Sequence, residues 1–470
     1  MCRTTQSNNH QHITHLMRVH FIAIGGSAMH NLAIALHKKG YHVTGSDDEI
    51  FEPSKSRLAQ HGLLPQQPGW HPEKIDDSLD AIILGMHARG DNPELQKALD
   101  MGLKVYSYPE YLYTQTTDKV RAVVGGSHGK TTVTSMVMHA LAHHQKAFDF
   151  MVGAQLEGFD TMVSLTAKAP VAVFEGDEYL SSPIDMRPKF LWYKPQVAIL
   201  TGVAWDHINV FPTFDGYVEQ FRMFADTIAD GGTLIYYGDD EHLQAIASKQ
   251  QHRIQTVAYR GIPHRVENGN TILQWAGRDY CTPVFGAHNL QNIHAAMLMC
   301  ETLGMSHHDF LTSMGTFKGA ARRLQTLYTG ESSTVFFDFA HSPSKLKATT
   351  QAVREQYPHR ELVACMELHT FSSLNKAFLP QYRHAMQAAH NAYVYFSPEV
   401  MKHKRLEPFT PQEAETAFDQ PGLKAYTQSA PLFDMLRSID WTNKNLLIMT
   451  SGNFDGIDIR AFVKEVFEKP

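Results

Sequence analysis

The sequence predicts an α/β fold, with three α/β domains in series. Short apolar runs recur along the chain and alternate with stretches of helical spacing, as in parallel sheets built from βαβ units. Two of these runs pass directly into glycine-rich turns that open helical patterns, at Gly25-Gly26-Ser27 and at Gly125-Gly126-Ser127. The chain has 470 residues, enough for two or three domains of ordinary size.

The elements follow in order. Residues 19–24 (VHFIAI) are an apolar run that meets Gly25, Gly26 and Ser27; a helical pattern then reaches Leu36 and Gly40, and a second strand over 41–45 ends in Ser46-Asp47. Further strands are expected at 81–84 and 103–106. A second unit starts with the strand 121–124, again running into a glycine turn and a helix, and continues with strands at 171–174, 197–200 and 234–237. Residues 253–284 alternate short β-like runs with Gly, Asn and Pro, which suits antiparallel strands. A helix is expected over 289–303. The third unit opens near Arg323, with strands at 335–339, 362–366, 392–396 and 446–450. The expected division is a disordered, His-rich leader over 1–17 and domains over 18–119, 120–322 and 323–470.

Composition narrows the class. Apolar residues at 43% and charged residues at 19% supply ample core for a soluble globular protein. A net charge of −6 speaks against a non-specific nucleic-acid surface. The four cysteines, Cys2, Cys281, Cys300 and Cys365, have no metal-type spacing and read as free thiols in a reducing compartment. No signal peptide is read at the N-terminus, and no stretch is apolar for long enough to span a bilayer. A cytoplasmic protein with neither nucleic-acid nor membrane partners is expected.

The chemistry concentrates at strand ends. Gly126-Ser127-His128-Gly129-Lys130-Thr131-Thr132 lies between a strand and a helix. Glycines let backbone N–H groups turn inward onto an anion, and the helix N-terminus adds partial positive charge. Lys130 can reach the β- and γ-phosphates of ATP, and the Thr131 hydroxyl can bind Mg²⁺. Val124 stands where the usual motif has its first Gly, so the loop is one residue short; an ordinary Gly-rich turn is the competing reading. Glu175-Gly176-Asp177-Glu178 ends another strand, where Glu175 could ligate Mg²⁺ or belong to a solvated acidic loop. Asp206-His207 follows a third strand, although imidazole is an uncommon Mg²⁺ ligand. Together, the three strand ends point to one nucleotide site.

These segments, in this order, resemble the Mur ligase family of cell-wall amide ligases, from about Val19 to the C-terminus. Gly126–Thr132 resembles the family's shortened phosphate loop, Glu175–Glu178 its magnesium segment, and Asp206-His207 its Asp-His pair. Gly286-Ala287-His288-Asn289-Leu290-Gln291-Asn292 resembles the segment that meets adenine, and Arg322-Arg323 and Asp338–Pro343 resemble the start of its third domain. Read from residues alone, Asn289 would be a helix N-cap and Arg322-Arg323 a solvated pair.

The resemblance implies a Rossmann-like N-terminal domain for a UDP-sugar, a P-loop ATP-binding central domain and a Rossmann-like C-terminal domain for the amine. It implies Lys130, Glu175 and His207 as catalytic residues. ATP contacts are implied at Gly126, Ser127, His128, Gly129, Lys130, Thr131, Thr132, Asn289, Asn292, Arg323 and Asp338, and Mg²⁺ contacts at Thr131, Glu175 and His207. UDP-sugar contacts are implied at Gly25, Gly26, Ser27, Asp47, His87 and Arg89, and amine contacts at His341, His369 and Asn453. His30 and Asp47 either help to hold the UDP diphosphate or are surface or cap residues.

Residues 86–93 and 177–179 are similar to the branch that joins UDP-N-acetylmuramate to L-alanyl-γ-D-glutamyl-meso-diaminopimelate. The branch that uses L-alanine is the alternative, and a non-catalytic nucleotide-binding protein is the reading from another class. A monomer or weak homodimer is expected. The chain departs from the family pattern at Ala23, where a Gly is usual, at Leu180, at His341-Ser342-Pro343, and around His369, where relatives often carry an Arg that would grip a carboxylate.

Overall fold

The computed structural model describes residues 16–205, 210–267, 269–319 and 322–468. The described chain forms two compact units. The first takes in the chain up to Thr117 together with Val163–Lys168 and Leu180–Trp192; the second takes in Asp118–Met162, Ala169–Tyr179 and Tyr193 onward.

In the first unit, β1 (Arg18–Ile22), β2 (His42–Ser46), β3 (Ala81–Leu84) and β4 (Val105–Ser107) form a parallel sheet in the order β2-β1-β3-β4. The helix α1 (Ser27–Lys38) follows β1 and buries Met29 through Leu36. β1 stops two residues short of the expected end because Ala23 turns left-handed, at φ 70°. A hairpin of Leu180–Ser182 with Asp185–Pro188, which the sequence reading missed, also belongs to this unit.

The second unit holds two large sheets. In the first, β5 (Val120–Gly125), β6 (Phe148–Met151), β7 (Val171–Glu175), β8 (Val197–Leu200), β9 (Thr233–Tyr237) and β10 (Gln255–Tyr259) lie parallel in the order β10-β9-β8-β5-β7-β6. Its central strands are nearly continuous runs of Val, Ala and Ile, as expected for a parallel sheet buried on both faces. The helix α2 (Lys130–His143) follows β5, and α3 (Phe214–Asp226) follows β8. Strands β11 (His264–Glu267), β12 (Asn270–Trp275) and β13 (Arg278–Thr282) form an antiparallel meander, as expected for this region. The preceding segment differs: β10 joins the parallel sheet beside β9.

The helix α4 (Ala287–Thr302) begins at a Gly286 cap, two residues ahead of the expected start. Asn289 is therefore inside the first turn and not an N-cap; its amide donates to the Phe285 carbonyl at 3.1 Å. Val133, Met136 and Val137 of α2 and Ile293, Ala296 and Met297 of α4 belong to one buried cluster. It fixes α2, and hence the loop before it, against the sheet.

The last sheet comprises β14 (Gln325–Thr329), β15 (Thr334–Asp338), β16 (Glu361–Leu368), β17 (Asn391–Phe396), β18 (Lys424–Tyr426) and β19 (Lys444–Met449), in the order β14-β15-β19-β16-β17-β18. Only β14, an edge strand absent from the sequence reading, runs antiparallel. The helix α5 (Pro343–Gln356) follows β15. Among the described residues, no helix is long and apolar enough to cross a membrane. Cys300 and Cys365 are buried free thiols, and Cys281 is exposed.

Candidate active site

The loop between β5 and α2 has the geometry of an anion cradle. Gly126 (φ 128°) and Gly129 (φ 76°) take left-handed conformations that suit glycine best. Gly126 also passes too close to β8's C-terminal end for any side chain: a Cβ there would lie 2.0 Å from Thr201 Oγ1. Thr201 donates to the His128 carbonyl, and Ser127 N donates to Gly202 O at 2.9 Å. Thr201, which the sequence reading did not single out, is the base on which the loop rests.

Lys130 opens α2 and folds back across the loop. Its Nζ donates to Gly126 O and to Glu178 Oε2, each at 2.6 Å. Burial works against the ammonium, but Glu178 and the nearby Asp177 and Glu175 outweigh it and hold the Lys130 pKa above the ordinary lysine value. Thr131 Oγ1 donates to Glu175 Oε1 at 2.9 Å, and Glu175 Oε2 accepts from Gly153 N at 2.7 Å. Two hard oxygen donors therefore meet at the mouth of the cradle, a donor set that fits Mg²⁺. Asp206 and His207, the third strand-end pair, lie outside the described residues.

A cavity of about 410 Å³ extends from this loop. It is lined by Glu175, by Asn289 and Asn292 of α4, and by Arg323, Asp338 and His341 at the start of the last sheet. His341, expected on the amine side, also lines this cavity. Tyr237 and Tyr259, at the ends of β9 and β10, form an aromatic wall with ring centroids 5.7 Å apart. His288 also lines the cavity, and burial pushes its imidazole down to about 4, so it is neutral. Neither tyrosine was singled out from sequence; their common signal is an aromatic residue closing a strand.

The arginine pair is not solvated side by side. Arg322 donates to Thr450 O and Gly452 O at 3.0 and 2.9 Å and lies over Phe337 and Phe339, whereas Arg323, also over Phe339, lines the cavity. Asp338 accepts from Leu324 N and Ala340 N. Its burial raises the carboxyl pKa, with Arg323 opposing. His369 and Asn453 sit beyond the C-terminal ends of adjacent strands β16 and β19. His369 Nδ1 pairs with buried Glu367 at 3.3 Å, and Asn453 accepts from Gly456 N.

In the first unit, the turn after β1 gathers most of the expected residues. Gly25 N donates to Asp47 Oδ2 at 2.6 Å, and His87 Nε2 lies 3.1 Å from Asp47 Oδ1. A Cβ at Gly26 would stand 3.5 Å from the His87 ring. Asp47 is fully buried, though its pKa is lowered: the His87 and Gly25 hydrogen bonds outweigh desolvation. The same hydrogen bond raises the His87 pKa. His30 is buried rather than superficial and bonds to Gly26 O at 2.9 Å and Ser54 Oγ at 3.0 Å. Ser27 and Arg89 are exposed.

A parallel α/β sheet with a phosphate cradle, a hard-donor pair and an aromatic-walled cavity at its strand ends defines a nucleotide-binding protein of the phosphate-loop kind. Comparison with known proteins narrows this class. Residues 18–118 match the model of the Mur ligase family catalytic domain, and residues 124–300 match that of the Mur ligase middle domain. The UDP-N-acetylmuramate–L-alanine ligase of Streptococcus pneumoniae (strain Hungary19A-6) is 30% identical over 392 residues, covering 80% of this chain and 82% of that protein. That of Lactiplantibacillus plantarum is 30% identical over 390 residues, covering 80% and 83%.

Among solved structures, UDP-N-acetylmuramate–alanine ligase from Thermotoga maritima superposes with a TM-score of 0.69 at 20% identity, covering 96% of this chain and 98% of that one. A murein peptide ligase from Psychrobacter arcticus gives 0.64 at 20% identity, covering 97% and 99%. The chain belongs to the Mur ligase family, the ATP-dependent ligases of peptidoglycan synthesis that form carbon–nitrogen bonds.

Proposed function

We propose that the chain joins UDP-N-acetylmuramate to L-alanyl-γ-D-glutamyl-meso-diaminopimelate, converting ATP to ADP and phosphate. The supporting observation is the exposed mixture of polar and aromatic side chains beyond the C-terminal ends of β16 and β19. There, His369 is one-third exposed, at 34% of its side chain, and Phe371 and Asn453 are exposed beside it in sequence or across the strands. An amine longer than alanine would meet His369, Phe371 and Asn453 there. A second reading, L-alanine as the amine, is favoured by the curated relatives, which are L-alanine ligases at 30% identity.

In this reading residues 18–119 hold the UDP-sugar, 120–322 hold ATP and 323–470 present the amine. A sugar carboxylate attacks the γ-phosphate to give an acyl phosphate, and the amine then displaces phosphate from the acyl carbon. Lys130 and the loop N–H groups hold the transferring phosphoryl, Asn289 and Asn292 meet the adenine, and Arg323 and Asp338 face the phosphates and ribose. Positioning and charge neutralisation are what such a transfer asks of a protein. Mg²⁺ on Thr131 and Glu175 would supply charge neutralisation at the β- and γ-phosphate oxygens. The Gly25–Ser27 turn, at a helix N-terminus, receives the diphosphate, with Asp47 and His87 beside it.

The decisive assay supplies ATP, Mg²⁺ and UDP-N-acetylmuramate with either L-alanine or the tripeptide and identifies the product by mass. A tripeptide adduct is expected. An adduct with L-alanine alone overturns the proposed amine, and no amine-dependent phosphate release with either overturns the ligase reading of the site.

A further inference from the structure

We propose that Glu178 is a positioning residue for the phosphate-loop lysine, and that with Tyr217 and Ser127 it fixes where the Lys130 ammonium stands during phosphoryl transfer. This rests on the reading that ATP occupies the cradle.

The inference follows from a closed chain of contacts. Glu178 Oε2 accepts from Lys130 Nζ at 2.6 Å, and Glu178 Oε1 accepts from the Tyr217 hydroxyl at 3.0 Å. The Tyr217 oxygen lies 3.0 Å from Ser127 Oγ, which itself accepts from Ala204 N at 2.8 Å. The path leaves the phosphate loop at Lys130 and re-enters it at Ser127. Its middle is buried: the Glu178 side chain is 1% exposed and Tyr217 is fully buried. Tyr217 is supplied by α3 and Glu178 by the segment after β7, so the lysine is referenced to two elements outside its own loop.

A lysine ammonium is a point charge on a flexible stem, and it has no preferred direction unless something else supplies one. Glu178 and the Gly126 carbonyl take two of its three N–H groups, which leaves the third to point along one direction. Precise placement of a charged group acts on the transition state more than on ground-state binding. The carboxylate also opposes an incoming triphosphate, because it is a negative charge next to the cation that attracts the nucleotide. A positioning role therefore lowers kcat when Glu178 is lost without weakening ATP binding, a pattern that simple structural damage does not produce.

The test is steady-state ADP formation by the full chain with saturating UDP-N-acetylmuramate and the amine it accepts. Glu178→Gln keeps the shape and can still accept from Tyr217 but removes the charge. It is expected to lower kcat about tenfold or more, with the KM for ATP unchanged or reduced. Tyr217→Phe should show the same split with a smaller loss, and Glu178→Asp should recover part of the kcat. An unchanged kcat in Glu178→Gln overturns the proposal, as does a rise in KM that accounts for the whole effect. If Glu178→Gln does not fold, Tyr217→Phe decides on the same criteria. Calorimetry separates the two readings: a wild-type chain that does not bind MgATP, or a Lys130→Ala chain that binds and turns it over like wild type, overturns the site itself.

Discussion

Lys130 is paired with a carboxylate that has almost no access to water, at 1% exposure, so removing the lysine does more than take the cation out of the cradle. Breaking a buried pair from one side commonly costs about 3–5 kcal/mol, because the remaining charge is left uncompensated. Lys130→Ala is therefore expected to abolish ADP formation and also to lower the denaturation midpoint. Adding Glu178→Gln to it should recover much of the stability and none of the turnover. Equal midpoints for the single and double variants would show that the pair carries no such penalty.

The His87–Asp47 pair predicts a pH dependence. The raised His87 pKa gives a stabilisation that is fully present below about 6.5, the unfolded value, and is lost as pH rises through the folded one. The lowered Asp47 pKa gives one that is present above the unfolded value of about 3.9 and is lost as pH falls through the folded value. Both groups are charged in the window between. The His87 side chain is 48% exposed, so the effect is modest. The midpoint difference between wild type and His87→Gln should be larger at pH 5.5 than at pH 8.5; a difference independent of pH would remove the ion pair from the account.

At the scale of elements, the loop between β5 and α2 depends on residues without side chains. A Cβ at Gly129 would have to adopt φ 76° and approach Asn292 Oδ1 to 2.5 Å, whereas one at Gly40, at φ 94°, would meet nothing within 4 Å. Gly40→Ala isolates the backbone strain, about 1–2 kcal/mol. Gly129→Ala should cost more than this by chemical denaturation and should also weaken MgATP binding, and equal costs at the two positions would contradict the close approach.

The same elements show what could be read from sequence. Strands β3 and β8 lie where their uninterrupted Ala, Val, Ile and Leu runs placed them, at 81–84 and 197–200, because both faces of a parallel sheet are buried. β6 escaped notice because Asp149 interrupts its apolar run, and that charge is buried against Lys119 at 3.0 Å. β14 is a polar edge strand with little apolar signal. Of the site, the cradle and the Thr131–Glu175 pair were legible as strand-end chemistry. Glu178 stood in the acidic segment, but its pairing with Lys130 and Tyr217, like the contact of Thr201 with the His128 carbonyl, joins residues far apart in sequence, and no local pattern announces that.

For the whole molecule, the consequential feature is that the cavity draws its lining from two sheets of the second unit. Asn289 and the cradle come from one; Arg323, Asp338 and His341 come from the other. MgATP should therefore slow amide hydrogen exchange at 125–132 and also at 338–344, more than a hundred residues further on. At a hundredfold excess over Kd it should add about 2.7 kcal/mol to stability. Protection confined to the loop would mean that the nucleotide engages one sheet only.

This division also limits how the protein can be taken apart and recombined. A chimera that takes residues 323–470 from a relative in order to change the amine imports that relative's Arg323, Asp338 and His341 positions as well. On the proposed reading, amine choice and nucleotide grip would be inherited together on one exchangeable segment, and a graft meant to alter only the former would have to begin beyond α5.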